Sequence, residues 1–200
     1  MTGGRFPIDT IRWIPFRNDA GAEIPAHAIL RPTGVVLRGT TPTLTVAKPS
    51  TTLSGEYFVN GPTKVASGGY GVCTKEATYA LVGTGTPAFG EGWGPKPAEW
   101  GLYRYYPGFR ILGHSADSLI FATSEPIQTL IGKLDGNLSQ GSSATVSIWI
   151  GAANSESDST MDVVAYDWLM KSGATAIASG KKVKLEWING QWYVTNAECA

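Results

Sequence analysis

Short runs of β-branched and aromatic residues, separated every few positions by Gly, Pro, Asn or Ser, dominate the hydrophobic pattern of this chain. No window of about twelve or more residues combines the three- and four-residue apolar spacing of an amphipathic helix with capping residues at both ends. The nearest candidate, 163–171, is short and rich in β-branched and aromatic residues. Many short strands with frequent turn signals are typical of barrels and sandwiches. The pattern therefore predicts an all-β protein.

The firmest local prediction is a hairpin near the C-terminal end. Two extended runs, 181–188 and 191–199, flank Asn189-Gly190, a dipeptide that favours the positive φ angles of a type I′ turn. With a two-residue loop, one face of the hairpin is apolar and the other mostly polar, which indicates a sheet packed on one side. The facing pairs, counted from the turn, are Trp187 with Trp192, Glu186 with Tyr193, Leu185 with Val194 and Lys184 with Thr195.

A polar break with a proline, Thr123 to Pro126, divides the chain. We expect two small β-barrel or sandwich modules: an N-terminal β domain over 1–125 and a small C-terminal β-barrel over 126–200. The second module has the size of an SH3-like or OB-like barrel of about five strands. Its core is expected to contain Trp149, Trp168, Trp187 and Trp192.

Composition and charge narrow the possible partners. Sixteen basic and sixteen acidic residues cancel, and charged residues make up only 16% of the chain, so no bulk field favours nucleic acid. The sequence contains neither an apolar run near the roughly 18 residues of a membrane span nor a signal-peptide pattern. We therefore expect no nucleic-acid partner and no membrane association. Cys73 and Cys199 are too few for a disulfide framework, and the sequence leaves open whether they pair.

Catalytic and metal signatures are weak. Gly113 to Asp117 places His beside Ser but lacks the closing Gly of a nucleophile elbow. The histidines and cysteines lack the short spacings of a zinc site. Asp135 to Ser139 begins like a calcium loop, yet the required Gly and bidentate Glu are missing at later positions. The sequence thus predicts no catalytic residue, no metal and no cofactor, although acidic side chains converging in a cleft would indicate a glycan hydrolase.

The richest segment is Phe89 to Phe109, where aromatic rings alternate with Gly and Pro. Three interpretations remain open: the rings pack inward as core, they form a subunit or partner interface, or some of them stack on sugars. The sugar alternative uses Trp93, Trp100, Tyr103 and Tyr105. The predicted contact residues are Trp93, Trp100, Tyr103, Arg104, Tyr105, Tyr106 and Phe109.

A further set of phrases is spread over most of the chain: 15–26 (PFRNDAGAEIPA), 59–62 with 68–71, 90–97 (GEGWGPKP), 107–109, 166–168 and 192–194. Together these phrases resemble structural proteins of tailed bacteriophages and prophages. The resemblance implies a virion component built of β-domains, and it transfers no functional residue.

The hypothesis from sequence is a non-enzymatic structural protein of a tailed-phage virion that acts through protein–protein contacts. Capsid decoration (cement or head fibre) and tail or tail-fibre attachment are open alternatives for its position. The expected partners are capsid, portal or neck, or tail proteins and further copies of the chain, assembled into the virion in the host cytoplasm. The alternative from another class is a carbohydrate-binding module of a phage adhesion device.

Overall fold

The computed structural model describes residues 11–53, 56–114, 119–149, 161–170 and 173–198. Its strands form two closed five-stranded barrels and a five-stranded sheet that lies between them in the sequence. The all-β class with small barrel modules is thereby confirmed. None of the described residues form a helix with the length and apolarity needed to cross a bilayer.

The N-terminal barrel closes in the order β1-β3-β2-β4-β5. Its strands are β1 (Ile14–Asn18), β2 (Ile29–Arg38), β3 (Thr41–Ala47), β4 (Phe58–Asn60) and β5 (Tyr70–Thr74). Strands β1 and β3 are parallel, and the other four pairings are antiparallel. Alternate side chains of each strand point inward, and this alternation fills a separate core that contains Phe16, Leu30, Val46 and Phe58.

The central sheet has the order β6-β10-β9-β7-β8. Its strands are β6 (Thr78–Leu81), β7 (Gly92–Pro95), β8 (Leu102–Arg104), β9 (Phe109–His114) and β10 (Leu119–Ser124). An isolated bridge between Val82 and Leu102 brings its two edges together. The predicted domain 1–125 thus contains a barrel and a further sheet rather than one module. Strand β7 escaped sequence prediction because Gly and Pro, which disfavour strands, make up three of its four residues, and β8 escaped it because it is only three residues long.

The C-terminal barrel closes in the order β11-β12-β13-β15-β14. Its strands are β11 (Thr129–Leu134), β12 (Ser143–Ile148), β13 (Asp162–Asp167), β14 (Lys182–Ile188) and β15 (Gln191–Ala197). The parallel pairing of its third and fifth strands, with all other pairs antiparallel, is the connectivity of an OB-like barrel. The gap between β10 and β11 contains the predicted boundary at 125/126.

The predicted hairpin is confirmed near its turn and corrected farther away. Asn189 and Gly190 have φ angles of 49° and 87°, and the predicted pairs hold as far as Leu185 with Val194. A β-bulge then shifts the register by one residue, so Lys184 lies opposite Asn196 and not Thr195. Bulges of this kind increase local twist and help a small sheet close into a barrel.

The prediction that four tryptophans fill the core of the C-terminal barrel is wrong for Trp168 and Trp187. Trp192 is buried, but Trp168 is 60% exposed and Trp187 is 40% exposed. A five-stranded barrel has a narrow interior, and aliphatic side chains such as Leu185 and Val194 fill it without the volume of further indoles. One continuous cluster of buried residues runs from this barrel through the central sheet.

Candidate interaction surfaces

The aromatic segment begins with a tryptophan that is fully buried in the central sheet. Trp93 on β7 has no exposed surface, and its indole Nε1–H donates to the Glu91 carboxylate at 2.9 Å. Arg104 forms an ion pair with the same carboxylate. The indole hydrogen bond, a backbone N–H and the nearby guanidinium lower the pKa of Glu91. Glu91 therefore satisfies the one polar atom of a core indole.

Glycines in this segment make room for the aromatic rings. A Cβ atom at Gly83 would overlap the ring of Tyr103, and one at Gly94 would overlap the Pro107 backbone. Without side chains at these positions, ring and backbone pack face to face. The alternation of Gly with aromatic residues thus indicates close packing rather than a flexible surface loop.

The structure divides the predicted contact residues by burial. Trp93 and Phe109 belong to the core, so the interface prediction is wrong for both. The reason is that β7 and β9 pair with each other and bring both rings into the central cluster. Trp100, Tyr103 and Tyr106 are half-buried, and only Arg104 and Tyr105 are exposed.

The sugar-stacking alternative loses one of its four rings, because Trp93 presents no surface. Lys48 lies 5.0 Å from the ring centre of Trp100, and Lys96 lies 4.9 Å from that of Tyr103, so these two rings have cationic partners within the chain. Sugar stacking on Trp100, Tyr103 and Tyr105 stays a prediction. The contact role likewise stays a prediction for Trp100, Tyr103, Arg104, Tyr105 and Tyr106.

A different surface comes from the hairpin of β2 and β3. Residues 35–43, here called the tip hairpin, pair only with each other and with Leu44 among the described residues. Val35 is 63% exposed and Leu37 is 70% exposed. Leu44, opposite Val35, packs against the N-terminal core. The exposed apolar side of the tip hairpin therefore continues the inner face of the barrel past its end.

Two further aromatic groups are exposed on the other sheets. On the central sheet, Tyr79 and Phe121 pair across β6 and β10 with ring centres 5.5 Å apart. On the C-terminal barrel, Trp168 lies against Tyr193 at 5.1 Å, with Tyr166 on the other side of that tyrosine at 6.1 Å. Each group consists of inclined rings that pack against one another while part of their surface stays exposed.

A cleft lies where the segment between β10 and β11 meets the C-terminal hairpin. This cleft, here called the Pro126 cleft, has a volume of about 490 Å³. Its lining residues are Glu56, Pro126, Ile127, Gln128, Thr129, Glu186, Trp187 and Ile188. A smaller depression of about 260 Å³ shares Glu56 and Pro126 and adds Lys75 and Ser124. The sequence does not reveal the cleft because its walls come from segments far apart in the chain.

Two carboxylates, Glu56 and Glu186, line the Pro126 cleft, so the acidic convergence that would indicate a hydrolase has to be weighed. Glu56 forms an ion pair with Lys75, and Glu186 pairs with Lys184 at 2.7 Å. The hydrogen bond from Lys184 lowers the pKa of Glu186. A glycosidase general acid needs a raised pKa so that it stays protonated. The ion pair therefore works against such a role for Glu186.

The remaining sequence candidates have structural surroundings. Cys73 is buried, and burial raises the pKa of its thiol to about 12, which suppresses the thiolate. His27 adopts a φ of 60° and its Nδ1 lies 3.1 Å from the Tyr79 carbonyl oxygen. His114 ends β9, and residues 115–117 of the candidate nucleophile elbow lie outside the described residues. Cys199, and with it the question of a disulfide, also lies outside them.

Three aspartates of the C-terminal barrel, among them Asp135 of the candidate calcium loop, bind the barrel's own groups. Ser147 Oγ lies 2.9 Å from Asp135 Oδ1 and 3.1 Å from Asp162 Oδ1, while Asn137 Oδ1 accepts the backbone N–H of Ser179. Asp167 accepts backbone N–H groups in the turn after β13. These contacts join neighbouring loops. Among the described residues, no group of three or more His, Cys, Asp or Glu side chains is placed to hold a metal ion.

The geometry is thus that of a β-rich body with exposed apolar and aromatic groups on all three sheets and one polar, aromatic cleft. Comparison with protein-family models, curated proteins and solved structures finds no match for this chain.

Proposed function

We propose that this chain is a non-enzymatic structural protein of a tailed-phage particle, which works through protein–protein contacts in a homo-oligomer. The tip hairpin is the observation that carries the proposal. It exposes Val35 and Leu37 on the continuation of a barrel's inner face. Two-stranded ribbons are marginally stable alone, and apolar strips of this kind are typical of surfaces that a partner covers.

The hairpin is held in a fixed direction, which favours a specific contact. The Arg38 guanidinium lies 4.4 Å from the ring centre of Tyr70, on the neighbouring side of the barrel. Pro42 lies opposite Leu37 in the hairpin. The next residue, Thr43, points to the other face and is buried. Because one side of the tip hairpin is packed, little conformational entropy is lost when a neighbour covers the other side.

The setting of the proposal comes from the sequence phrases that resemble phage and prophage structural proteins. The balance of sixteen basic and sixteen acidic residues supports it as well, because neutral subunits pack closely without mutual repulsion. Capsid decoration and tail or tail-fibre attachment remain the two positions to be distinguished. Labelling the chain in images of intact particles distinguishes them by its symmetry and neighbours.

Assembly is tested with the double variant Val35→Asp/Leu37→Asp. We expect the wild-type chain to form an oligomer in analytical ultracentrifugation. The dissociation constant of the variant oligomer should be at least about 30-fold higher. The substitutions remove the central apolar contacts of the interface, and burying a carboxylate in an apolar contact costs free energy. The control is Ile131→Asp, a similarly exposed apolar position at 54% on the C-terminal barrel, which should leave association unchanged. A wild-type chain that stays monomeric at high concentration and binds neither capsids nor tails would refute the proposal.

A further inference from the structure

We infer that the Pro126 cleft is a binding site for a neutral saccharide. The inference stands apart from the assembly role, because the cleft lies on the C-terminal hairpin and the interdomain segment and shares no residue with the tip hairpin. Its volume of about 490 Å³ falls within the range of small-ligand sites, roughly 300–1,000 Å³. The ligand class follows from the wall, the charges and the rigidity of the cleft.

The wall supplies an indole of the kind that stacks on sugar rings. Trp187 lines the cleft and keeps 40% of its surface exposed. Trp192 packs against it with ring centres 5.1 Å apart and planes inclined by 64°, which fixes the orientation of Trp187. The electron-rich face of an indole attracts the weakly positive C–H groups on the apolar face of a pyranose. A fixed ring loses little entropy when it makes that contact.

Each of the two carboxylates that line the cleft has an ammonium partner beside it. Glu56 pairs with Lys75, and Glu186 pairs with Lys184. Neither carboxylate is therefore left to attract a cationic ligand, and none of the lining residues is a Lys or Arg that would attract an anionic one. Carboxylates still accept hydrogen bonds, and ammonium and amide groups such as that of Gln128 still donate them. A mixture of donors and acceptors without net charge suits neutral hydroxyl groups, each of which both donates and accepts.

The floor of the cleft is preformed. Glu125 N–H donates to the Gly108 carbonyl at 2.9 Å, and Trp187 N–H donates to the Gln128 carbonyl at 2.9 Å. Ile127, between these two anchors, packs against the main core. Pro126 further restricts the backbone of the segment. Both ends of the floor are therefore tied to regular structure before any ligand binds.

The test is binding of the full chain to an array of neutral, acidic and amino-sugar glycans, followed by calorimetry with the neutral oligosaccharide that gives the strongest signal. We expect wild-type binding to a neutral glycan. Trp187→Ala should weaken it about tenfold or more, as truncation of a central aromatic contact does. Gln128→Ala should weaken it about two- to tenfold, the value of one hydrogen bond, while leaving the backbone anchor intact.

The matched control is Trp168→Ala, which removes a more exposed indole, 60% against 40%, from outside the cleft. Its binding should equal that of the wild type. Thermal unfolding of each variant separates loss of the site from loss of the barrel, and Gln128→Ala tests the site even if Trp187→Ala unfolds. Three outcomes would overturn the inference: no neutral glycan binds, only charged glycans or basic peptides bind, or Trp168→Ala weakens binding as much as Trp187→Ala. Loss of assembly in Val35→Asp/Leu37→Asp with glycan binding retained would leave it intact.

Discussion

The N-terminal and C-terminal barrels close the same ring of strands, but the chain enters that ring at different places. If the C-terminal ring is followed from β11 through β12, β13, β15 and β14, the same succession of pairings is met in the N-terminal ring from β4 through β5, β1, β3 and β2. Each ring has one parallel pair, β13 with β15 and β1 with β3, in corresponding places. One barrel is thus a circular permutation of the other in its connectivity.

The correspondence extends to bonds outside the strands. Ile24 and Val65 form an isolated bridge with both N–H···O distances at 2.9 Å, and Ile177 and Leu138 form the corresponding bridge with the same distances. Three residues after Ile24 and three residues after Ile177 the chain turns with a positive φ, 60° at His27 and 84° at Gly180. The two barrels thus keep a common backbone hydrogen-bond framework while most side chains on it differ.

The largest expected effect comes from exchanging the turn residues that end β1 and β13. Asn18 and Asp167 each accept the N–H two residues later at 2.9 Å. Asn18 is buried, however, and its Nδ2 lies within 2.8–3.1 Å of three carbonyl oxygens. Asn18→Asp places a carboxylate against those oxygens and should cost about 3 kcal/mol or more at pH 7 in urea unfolding.

The acid dependence of Asn18→Asp sharpens this prediction. A carboxylate facing carbonyls has a higher pKa in the folded than in the unfolded state, so the folded state binds more protons and the variant gains stability as pH falls. The reciprocal variant Asp167→Asn keeps one acceptor oxygen for the Leu169 and Met170 N–H groups and should cost only about 1 kcal/mol. If the two variants lose the same unfolding free energy, the two turns do not differ in the way their hydrogen bonds indicate.

This pair also shows why the sequence predicted the strands better than the relation between barrels. Asn18 and Asp167 both stand before turn residues, and period-2 patterns revealed most of the strands around them. A circular permutation leaves no fixed spacing between corresponding residues, so no repeat is visible along the chain. The Pro126 cleft was hidden for a related reason: Glu56 and Trp187 meet only through tertiary packing. Burial of Trp93 likewise depends on β7, which its glycines and proline concealed.

The next prediction concerns the side-chain sizes at one pair of facing residues that both barrels have in corresponding places. Phe16 lies opposite Gly71 in the N-terminal barrel, where the C-terminal barrel places Ala165 opposite Ala144. A Cβ atom at Gly71 would lie 2.7 Å from Phe16 Cζ. Gly71→Ala should therefore cost about 1–3 kcal/mol by overpacking in denaturant unfolding.

The matched variant for this pair is Gly71→Ala/Phe16→Leu. The smaller side chain at position 16 relieves the overlap with the Phe16 ring, while the contact of the added Cβ with Val65 Cγ2, also at 2.7 Å, remains. The double variant should therefore be more stable than the sum of the two single effects implies. If the losses in unfolding free energy are additive, the side chains at positions 16 and 71 are not coupled through their packing.

The smallest expected effect distinguishes the two positive-φ turns. Gly180 has a φ of 84° and an added Cβ there would meet only the distant end of the Lys133 side chain at 3.9 Å, so a substitution is opposed by backbone conformation rather than space. Gly180→Ala should cost about 1 kcal/mol, and Gly180→Asn less, because Asn tolerates the left-handed region. Gly136→Ala is the control, since that glycine has open space and no positive φ. If thermal unfolding shows equal effects at Gly180 and Gly136, the turn at Gly180 does not share the backbone requirement that His27 meets in the other barrel.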